Sequence, residues 1–413
     1  MKEVNDMDVS LYVKTMAQRA RVACGTLARL TTNEKNAALS AIADSLEARR
    51  AEISKANELD VEKARENGLS SAMIDRLTLT PARFDAMVAG LRHVCSLPDP
   101  VGETMWVRDR DNGMSIRKVR VPFGVVAVVF ESRPNVFIDT AALCIKTGNA
   151  LILRGGKEAI KSNAALMAAT HEALESLGIG DAVQFVDITD HAAVSELVRA
   201  VGLVDVAIPR GGERLIRAMC EAALVPVLKH YKGVCHVYVD ESADLEMALK
   251  IIDNAKTQRP GVCNALECLL VNEKVAGVFL PRVREWASKK GVVLHEDGGE
   301  VANDWEREFL ALEMNVGIVS DVSAAVEHIN RYGSHHSDCI IAADKDCAAQ
   351  FLRDVDSAAV YHNVSTRFTD GAEFGMGAEI GISTDKLHAR GPMGLEELTT
   401  YKYQIVGDGI VRG

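Results

Sequence analysis

One cysteine, Cys263, stands in a sequence setting that suits covalent catalysis. It follows a Pro260-Gly261 turn by two residues, and the sequence predicts a short helix that begins at Asn264. Unpaired backbone N–H groups at the start of a helix lower the pKa of a neighbouring thiol and can also hold an oxyanion. Most free cysteines are small buried hydrophobes, so the local pattern leaves the structural interpretation open. Cys268, five residues on, is interpreted as a core residue.

Two glycine-containing segments each follow a predicted buried strand and precede a predicted helix. Their residues are Arg154, Gly155, Gly156 and Lys157 in the first segment, and Arg210, Gly211 and Gly212 in the second. Glycines allow the backbone to approach a ligand closely, and cations at the same turn suit phosphate groups. Each segment alone is equally well explained as a solvated turn. Two such turns at the carboxyl ends of neighbouring strands are typical of nucleotide binding.

Three further polar residues are candidates to contact a substrate. Arg133 and Asn135 follow the apolar segment 125–130 and would emerge at the same edge of the sheet, where they can meet an anionic substrate or a developing oxyanion. Asn135 is alternatively the cap of the next helix. Arg367 follows a later strand and can pair with a carboxylate or phosphate, or is simply a surface arginine.

The nine cysteines are scattered and indicate neither a disulfide framework nor a metal site. Segment 333–338 contains His335 and His336 but offers no third ligand at a usual spacing, so we expect a polar loop and no metal. Cys235 and His236 are adjacent in a predicted strand, so their side chains should point to opposite faces and form no dyad. A reducing cytoplasm is the simplest setting for these thiols.

The composition is that of an ordinary globular protein. The chain has 413 residues, 48% of them hydrophobic and 25% charged, which predicts about two or three domains. The formal net charge of −11 argues against nucleic acid or an anionic membrane surface as the main partner. The first residues show no signal-peptide pattern, and no apolar run reaches the roughly 18 residues of a membrane span.

The predicted elements change in kind along the chain. About the first ninety residues have helical periodicity, with a capping box at Thr31–Glu34 and an N-cap followed by proline at Thr80–Pro81. Residues 104–121 alternate polar and apolar side chains around an Asp-Asn-Gly turn, which predicts a β-hairpin that can pair with another subunit. Strands and helices then alternate, which indicates parallel sheets covered by helices. A second series of strands suggests a second α/β unit, with the break near Asp240.

Seven motifs occur in an order that resembles the γ-glutamyl phosphate reductase family, a branch of the aldehyde dehydrogenase superfamily. They are FESRPNV (130–136), KTGNALILRGGKEA (146–159), IPRGG (208–212), QRPGVCNALE (258–267), HSDCII (336–341), FGMGAEIGIST (374–384) and GPMGLEELTTYKY (391–403). The match spans nearly the whole chain. On this resemblance, Cys263 becomes the expected catalytic nucleophile.

The resemblance implies an α/β, aldehyde dehydrogenase-like fold with two Rossmann-like α/β domains and a β-hairpin oligomerisation arm. The implied NADP-binding domain comprises residues 1–103 and 122–239, rejoined by about 366–392. The implied catalytic domain comprises residues 240–365 with Cys263, and the arm comprises residues 104–121 and 393–413.

The implied reaction is the NADPH-dependent reduction of L-glutamyl 5-phosphate to L-glutamate 5-semialdehyde and phosphate, in proline biosynthesis. Cys263 would attack the acyl phosphate, with the oxyanion held by its own backbone N–H and by Asn135 or Arg133. Arg154 falls where family members contact the adenosine ribose, and a cation at Lys157 favours the additional phosphate of NADP. Arg367 and Arg133 are the candidates to bind the charged groups of the substrate amino acid.

The segment Lys229–His236 (KHYKGVCH) separates this chain from hydrolytic members of the superfamily. Those members carry a general-base glutamate in the corresponding segment, and here it contains no carboxylate. The acyl group is therefore expected to pass to and from phosphate and not to water. Glu267, four residues after Cys263, is expected to support the predicted helix start. The segment also differs from the threonine- and glycine-rich version of many family members.

Two other functions are kept as alternatives: a hydrolytic aldehyde dehydrogenase that makes a carboxylic acid, and a non-catalytic structural relative. The expected partners are the small-molecule substrate glutamyl 5-phosphate, further copies of the chain bound through the hairpin and the C-terminal tail, and the kinase that supplies the labile acyl phosphate. No nucleic acid and no membrane is expected, and the expected location is cytoplasmic.

Overall fold

The computed structural model describes residues 8–296 and 304–412 and divides the chain into two compact units. The first unit contains the described residues up to Leu228, together with Met376–Gly381 and the C-terminal segment that begins at Met393. The second contains the described residues of Lys229–Gly375 and the segment Ile382–Pro392. Within the described ranges, none of the helices combines the length and apolar character that spanning a membrane demands.

The first unit is built from helices and a small parallel sheet. Its helices are α1 (Val9–Leu27), α2 (Thr32–Ala48), α3 (Arg50–Glu66), α4 (Ser71–Leu77), α5 (Pro81–Ser96), α6 (Pro134–Lys146), α7 (Ile160–Glu175), α8 (Ala192–Val198) and α9 (Glu213–Ala222). Its strands are β1 (Thr104–Asp109), β2 (Ser115–Pro122), β3 (Val125–Phe130), β4 (Ala150–Arg154), β5 (Val183–Phe185), β6 (Val206–Arg210) and β15 (Thr399–Val406).

The predicted caps of the N-terminal helices are present. Thr31 Oγ1 accepts from Glu34 N at 3.3 Å, and Thr31 N donates to Glu34 Oε2 at 2.7 Å, which completes the capping box of α2. Thr80 caps α5 by accepting from Arg83 N, with Pro81 as the first helical residue. Each such cap contributes about 1 kcal/mol of stability. These helices are therefore delimited by local sequence signals.

The parallel sheet of the first unit has the strand order β5-β4-β3-β6. The chain runs from β3 to β4 and β5 on one side and then returns to place β6 on the other side of β3. All six residues of β3 are buried, as expected for a β-branched apolar run covered on both faces. The carboxyl end of β3 is therefore the topological switch point of this sheet, where open α/β sheets bind ligands.

The predicted hairpin forms a separate antiparallel sheet with the C-terminal strand. β1 pairs with β2 across the predicted turn, and β15 pairs with the other edge of β2 along its whole length. Arg120 of β2 bridges Glu103 at 2.7 Å and Glu396 at 2.6 Å. The side chains of the outer strands β1 and β15 are largely exposed and those of β2 are mostly half-buried, in contrast to those of the parallel sheet.

The second unit contains a six-stranded, fully parallel sheet with the order β12-β11-β7-β8-β10-β9. Its strands are β7 (Cys235–Val239), β8 (Leu266–Asn272), β9 (Val293–Glu296), β10 (Glu313–Val319), β11 (Ser337–Ile341) and β12 (Ala359–His362). Its helices are α10 (Leu245–Thr257), α11 (Glu273–Lys290), α12 (Val322–Tyr332) and α13 (Lys345–Asp354).

The boundary between the units differs in place from the predicted break near Asp240. The structure puts it at Leu228/Lys229 because β7 pairs with β8 and β11 of the second sheet. Residues 382–392 also belong to the second unit, although the sequence predicted that about 366–392 would rejoin the first. Two short strands, β13 (Gly381–Ser383) and β14 (Gly391–Met393), lie where the chain passes between the units.

An ion-pair cluster holds the segment 382–392 to the second unit. Arg390 Nη1 lies 2.7 Å from Asp356 Oδ1, and Lys386 Nζ lies 2.7 Å from Asp356 Oδ2. These hydrogen-bonded cations lower the pKa of Asp356 to about 2. These long-range ion pairs, which no sequence periodicity predicts, help to hold the segment against the second unit.

Candidate active site

Cys263 lies in the loop between α10 and β8, and its side chain is half-buried. The prediction of a helix from Asn264 is wrong, because residues 260–265 form turns and bends and β8 begins at Leu266. Pairing of the buried strand β8 with both β7 and β10 fixes extended backbone immediately after the thiol loop. The environment of Cys263 is therefore set by neighbouring loops and not by a helix N-terminus.

Asn264 anchors the thiol loop. Its Nδ2 donates to Thr369 O at 2.9 Å and its backbone carbonyl accepts from Thr366 Oγ1 at 2.8 Å. Its Oδ1 accepts from Arg367 Nη1. Because the donor and acceptor groups of this buried amide are both used, the residue after the thiol has one well-defined position.

Arg367, predicted to bind substrate, lies against the same loop. Its Nε donates to Gln258 Oε1 at 2.8 Å, in addition to its hydrogen bond with Asn264. Burial lowers the pKa of the Arg367 guanidinium. The residue also lines a polar cavity of about 270 Å³ together with Asp370 and Glu373. The structure thus brings Arg367 and Cys263 into one loop system.

Gly233 packs against the backbone of Cys263 and is a site residue that the sequence did not reveal. A Cβ at position 233 would lie 2.5 Å from both the Cα and the carbonyl carbon of Cys263, and closer still to its carbonyl oxygen. Real Cβ atoms do not approach backbone atoms so closely, so the position excludes every side chain. The backbone N–H of Gly233 donates to Glu308 Oε1 at 2.8 Å.

Cys235 is not a competing nucleophile. Its Sγ donates to the carbonyl oxygen of Cys263 at 3.2 Å, and complete burial raises the pKa of this thiol well above its usual value. The adjacent His236 pairs instead with Asp338, with Nδ1 lying 3.1 Å from Oδ1. The two neighbours therefore form no dyad, and Cys235 supports the backbone of Cys263.

The side chain of Glu267 is fully buried. It was expected to support a helix start, but it lies on β8, where its Oε2 is 3.0 Å from Nζ of the equally buried Lys256. Burial raises the pKa of Glu267 to about 7, although Lys256 acts in the opposite direction. Its Oε1 accepts from Leu310 N at 3.3 Å. The carboxylate is therefore occupied by structural partners and has no exposed surface.

Two histidines lie beside the thiol. His230, His336 and Cys263 each present one potential ligand atom, and these three atoms lie within 4.8 Å of one another. His336 was expected to lie in a polar loop, and His230 was not among the candidate residues. The residues come from three segments separated by 33 and 73 positions, so no local spacing could have revealed the cluster.

The three polar loops of the first unit meet at one edge of its sheet. Segment 131–135 follows β3, and the two glycine segments follow β4 and β6, which flank β3 on either side. The two glycine turns were expected to follow neighbouring strands. They instead follow strands on opposite sides of the switch point. This arrangement still places all three loops where a dinucleotide would bind in such a sheet.

Arg133 and Asn135 lie at the beginning of α6. Arg133 is the residue that precedes the helix, and Asn135 is the second helical residue. Asn135 Nδ2 donates to Asp139 Oδ2 at 2.9 Å, one turn further along. Burial raises the pKa of Asp139 to about 6, although the hydrogen bond from Asn135 and the positive charge of Arg210 both act to lower it. The amide of Asn135 is thus oriented by a partner on its own helix.

Carboxylates of the chain itself contact both glycine segments. Glu131 Oε2 accepts from Gly212 N at 2.8 Å at the start of α9, and a Cβ on Gly211 would lie 2.5 Å from the same atom. A Cβ on Gly156 would lie 2.6 Å from Glu158 Cδ. The carboxylates of Glu131 and Glu158 therefore lie directly against the two glycine segments.

Arg154 and Lys157 differ in their surroundings. Arg154 is buried, and burial lowers the pKa of its guanidinium. Its Nη2 donates to Thr189 O at 3.3 Å, while its buried Nε has no hydrogen-bond partner among the described residues. Lys157 is exposed at the start of a short 3-10 helix. The turn after β4 therefore presents one buried donor and one exposed cation.

The first unit thus has polar loops at the switch-point edge of a parallel sheet, and the second has a half-buried thiol in a loop that Asn264 anchors. The model of the aldehyde dehydrogenase family matches residues 2–298, and the chain belongs to this family. The fold class and the resemblance predicted from the sequence are thereby confirmed. Enzymes of this family use a nicotinamide cofactor.

The similar curated proteins carry a more specific name. A gamma-glutamyl phosphate reductase of Moorella thermoacetica is 51% identical over 98% of this chain and 100% of its own length. A gamma-glutamyl phosphate reductase of Escherichia fergusonii is 49% identical over 97% of this chain and 100% of its own length.

Solved structures agree with these matches. The gamma-glutamyl phosphate reductase of Thermotoga maritima is 45% identical, with a TM-score of 0.95 over 97% of this chain and 100% of that one. An acetylating aldehyde dehydrogenase of Geobacillus thermoglucosidasius is only 17% identical and covers 100% of this chain and 99% of its own, with a TM-score of 0.69, which shows the shared fold alone.

Proposed function

We propose that the protein is an NADPH-dependent gamma-glutamyl phosphate reductase. It reduces L-glutamyl 5-phosphate to L-glutamate 5-semialdehyde and phosphate in proline biosynthesis. The observation that carries this proposal is the thiol loop, in which Gly233 packs against the backbone of a half-buried cysteine and Asn264 anchors the next residue. Full-length relatives that carry this enzyme's name, at about half identity, support the same activity.

Cys263 acts as the nucleophile. Its thiolate attacks the acyl carbon, so a C–S bond forms while the bond from that carbon to the phosphate oxygen breaks and phosphate leaves with the electron pair. A bound nicotinamide cofactor supplies the hydride that reduces the resulting thioester. Collapse of the thiohemiacetal then breaks the C–S bond, forms the aldehyde and returns the thiolate.

The developing oxyanion needs donors that are already in place. The backbone N–H of Cys263 is one proposed donor, because the hydrogen bonds of Asn264 hold this part of the loop. Asn135 and Arg133 are the proposed side-chain donors. The hydrogen bond from Asn135 to Asp139 supports a role for Asn135, because it orients the side-chain amide. The amide nitrogen carries two hydrogens, so the second one can donate to the oxyanion.

The substrate amino acid carries an ammonium and a carboxylate that must be recognised. The cavity beside Arg367 offers one cation and two carboxylates, Asp370 and Glu373, which match those two groups in charge. Arg367 and Arg133 are accordingly the proposed substrate-binding cations. Because Arg367 also contacts Asn264, bound substrate would be linked directly to the thiol loop.

The switch-point edge of the first unit is the proposed cofactor site. Arg154, Gly155, Gly156 and Lys157 would hold one end of the dinucleotide, and Arg210, Gly211 and Gly212 would lie on the other side of β3. The carboxylates of Glu131 and Glu158 suit ribose hydroxyl groups. The exposed ammonium of Lys157 suits the 2′-phosphate, which supports NADP over NAD.

Reversal of the charge at Lys157 tests the cofactor preference. We expect Lys157→Glu to raise the KM for NADPH about 10- to 100-fold and to leave the KM for NADH nearly unchanged, because only NADPH carries the phosphate that a carboxylate repels. Steady-state kinetics with both cofactors give the ratio. Lys161→Glu, an equally exposed lysine four residues further on, is the matched control. An equal change for both cofactors would refute the assignment.

The proposed enzyme and a hydrolytic aldehyde dehydrogenase differ in the molecule that accepts the acyl group from Cys263, which is phosphate in the first and water in the second. The segment Lys229–His236 carries no carboxylate, and the buried carboxylate of Glu267 is paired with Lys256. One carboxylate does come close from elsewhere, because Glu308 accepts the N–H of Gly233. That hydrogen bond directs one of its oxygens to the backbone, which argues against a water-activating role.

Oxidation of glutamate 5-semialdehyde by NADP decides between the two functions. We expect turnover to require inorganic phosphate and to fall at least about 100-fold without it, since phosphate and not water must cleave the thioester. NADPH formation is followed by absorbance with and without phosphate, with sulfate as the ionic-strength control. Equal turnover without phosphate would establish hydrolysis and would identify Glu308 as the first residue to replace.

Assembly and location complete the proposal. Exposed apolar side chains on the three-stranded sheet, among them Val107, Tyr403 and Ile405, support an oligomerisation arm. Nine free cysteines support a reducing cytoplasm. The lability of an acyl phosphate supports direct transfer from the kinase that produces it. An intact thiol loop argues against a non-catalytic structural relative.

A further inference from the structure

The three side chains around the thiol form a set of ligands that soft metal ions prefer. One thiolate and two imidazoles suit zinc, and the three ligand atoms lie within 4.8 Å of one another. All three residues belong to the second unit. Cys263 and His230 are half-buried, so an ion from solvent can reach them, whereas His336 is fully buried behind them.

The ring of His230 is oriented as metal-binding histidines usually are. Its Nδ1 lies 2.9 Å from the carbonyl oxygen of Ile382. A carbonyl oxygen can only accept, so Nδ1 carries the proton and Nε2 presents a lone pair. A backbone carbonyl that fixes the tautomer in this way is the usual outer-sphere support of a metal-ligating histidine.

His336 is held by a chain of hydroxyl groups. Its Nδ1 lies 2.8 Å from Ser337 Oγ, which is 2.5 Å from Thr369 Oγ1. Tyr361 OH lies 2.8 Å from the same Thr369 hydroxyl. The ring of His336 is thereby held through Nδ1, as the ring of His230 is.

We propose that Cys263, His230 and His336 bind one zinc ion, which reversibly blocks the thiol. Zn–S and Zn–N bonds of about 2.3 and 2.0–2.1 Å put the ligand atoms of a tetrahedral site about 3.4–3.6 Å apart, so the side chains need to close by no more than about 1.4 Å. Zinc replaces the thiol proton, which passes to solvent, and no oxidant or reductant is needed. A water molecule completes the coordination.

The expected affinity is that of an inhibitory site and not of a structural one. Arg259 and Arg367 carry positive charge close to the loop, and the charges of Arg259 and of Cys263 both act on Arg367. A divalent cation is therefore opposed by these guanidinium groups while it is attracted by the thiolate. Only the inhibition of turnover rests on the proposed function, because ion binding and protection of the thiol do not require Cys263 to be catalytic.

Direct binding tests the site on the purified full chain. After removal of metals with a chelator, zinc is titrated in competition with a chromogenic chelator, and we expect one ion per chain. His230→Gln and Cys263→Ala should each weaken binding at least about tenfold. His171→Gln, a partly exposed histidine of α7, and Cys220→Ser, a half-buried thiol of α9, are the matched controls and should bind as the unaltered chain does. Unchanged affinity in both cluster variants would overturn the proposal.

Protection of the thiol gives a second measurement that needs no histidine variant. Alkylation of Cys263 by iodoacetamide, followed by peptide mass spectrometry, should slow at least about tenfold with saturating zinc and recover on addition of chelator. Cobalt in place of zinc should give a thiolate charge-transfer absorption that Cys263→Ala lacks. An alkylation rate that zinc does not change would overturn the proposal, even if turnover were inhibited. If zinc protected Cys263 from alkylation but the Cys263→Ala variant still turned over substrate, the zinc site would be supported and only the proposed function would be contradicted.

Discussion

Replacement of Cys263 by alanine is expected to abolish reduction of glutamyl 5-phosphate while cofactor binding persists. The thiolate forms the covalent bond to the acyl carbon, so its removal should lower kcat by at least about 10⁴-fold. The proposed cofactor residues all lie in the first unit, whereas Cys263 lies in the second. NADPH binding, followed by fluorescence titration, should therefore change less than about twofold, well below the roughly tenfold that corresponds to 1.4 kcal/mol.

Two control thiols sharpen this result. Cys220→Ser removes a half-buried thiol of α9, outside the loop, and should leave kcat nearly unchanged. Cys268→Ala removes a fully buried neighbour on β8 and should cost stability through a small cavity, with kcat per folded molecule retained. A Cys263→Ala chain that kept more than a few per cent of turnover would disprove the nucleophile assignment.

Periodicity and local signals predicted much of the fold. The caps at Thr31 and Thr80, the buried strand 125–130 and the hairpin at 104–121 depend on neighbouring residues, and the structure contains each of them. The course of 366–392 was placed less well. Residues 376–381 belong to the first unit, but 382–392 belong to the second. Asp356 pairs there with Lys386 and Arg390, which are about thirty residues away, and no local pattern encodes such a pairing.

The candidate site shows the same division between local and long-range information. The resemblance singled out Cys263, yet the expected helix after it is a turn that leads into β8, since a Pro-Gly turn followed by a short apolar run suits either structure. His230 and Gly233 were overlooked, and His336 was assigned to a polar loop, because each gains its meaning from a contact across the fold. In a single sequence, Gly233 looks like any loop glycine.

The largest effect expected from a residue without a reactive group is at Gly233. Gly233→Ala would place a Cβ 2.5 Å from the Cα and carbonyl carbon of Cys263, so the backbone that carries the thiol must move. A displacement near 1 Å at a reacting group costs about 10²-fold in rate, so we expect kcat/KM to fall by about that factor. Overpacking should also cost about 1–3 kcal/mol in the free energy of unfolding.

Gly261→Ala is the matched control for this variant. Gly261 lies in the thiol loop itself, and a Cβ there would meet only Leu310 O, at 3.8 Å, an ordinary van der Waals contact. We expect its kcat/KM to stay within about threefold of the unaltered chain. Urea denaturation and circular dichroism establish the folded fraction of both variants, so that activity is compared per folded molecule.

If folded Gly233→Ala retained full activity, the backbone contact between Gly233 and Cys263 would not be what positions the thiol. A loss confined to Gly233→Ala, with iodoacetamide still reaching Cys263, would show that the thiol is present and exposed but misplaced for attack.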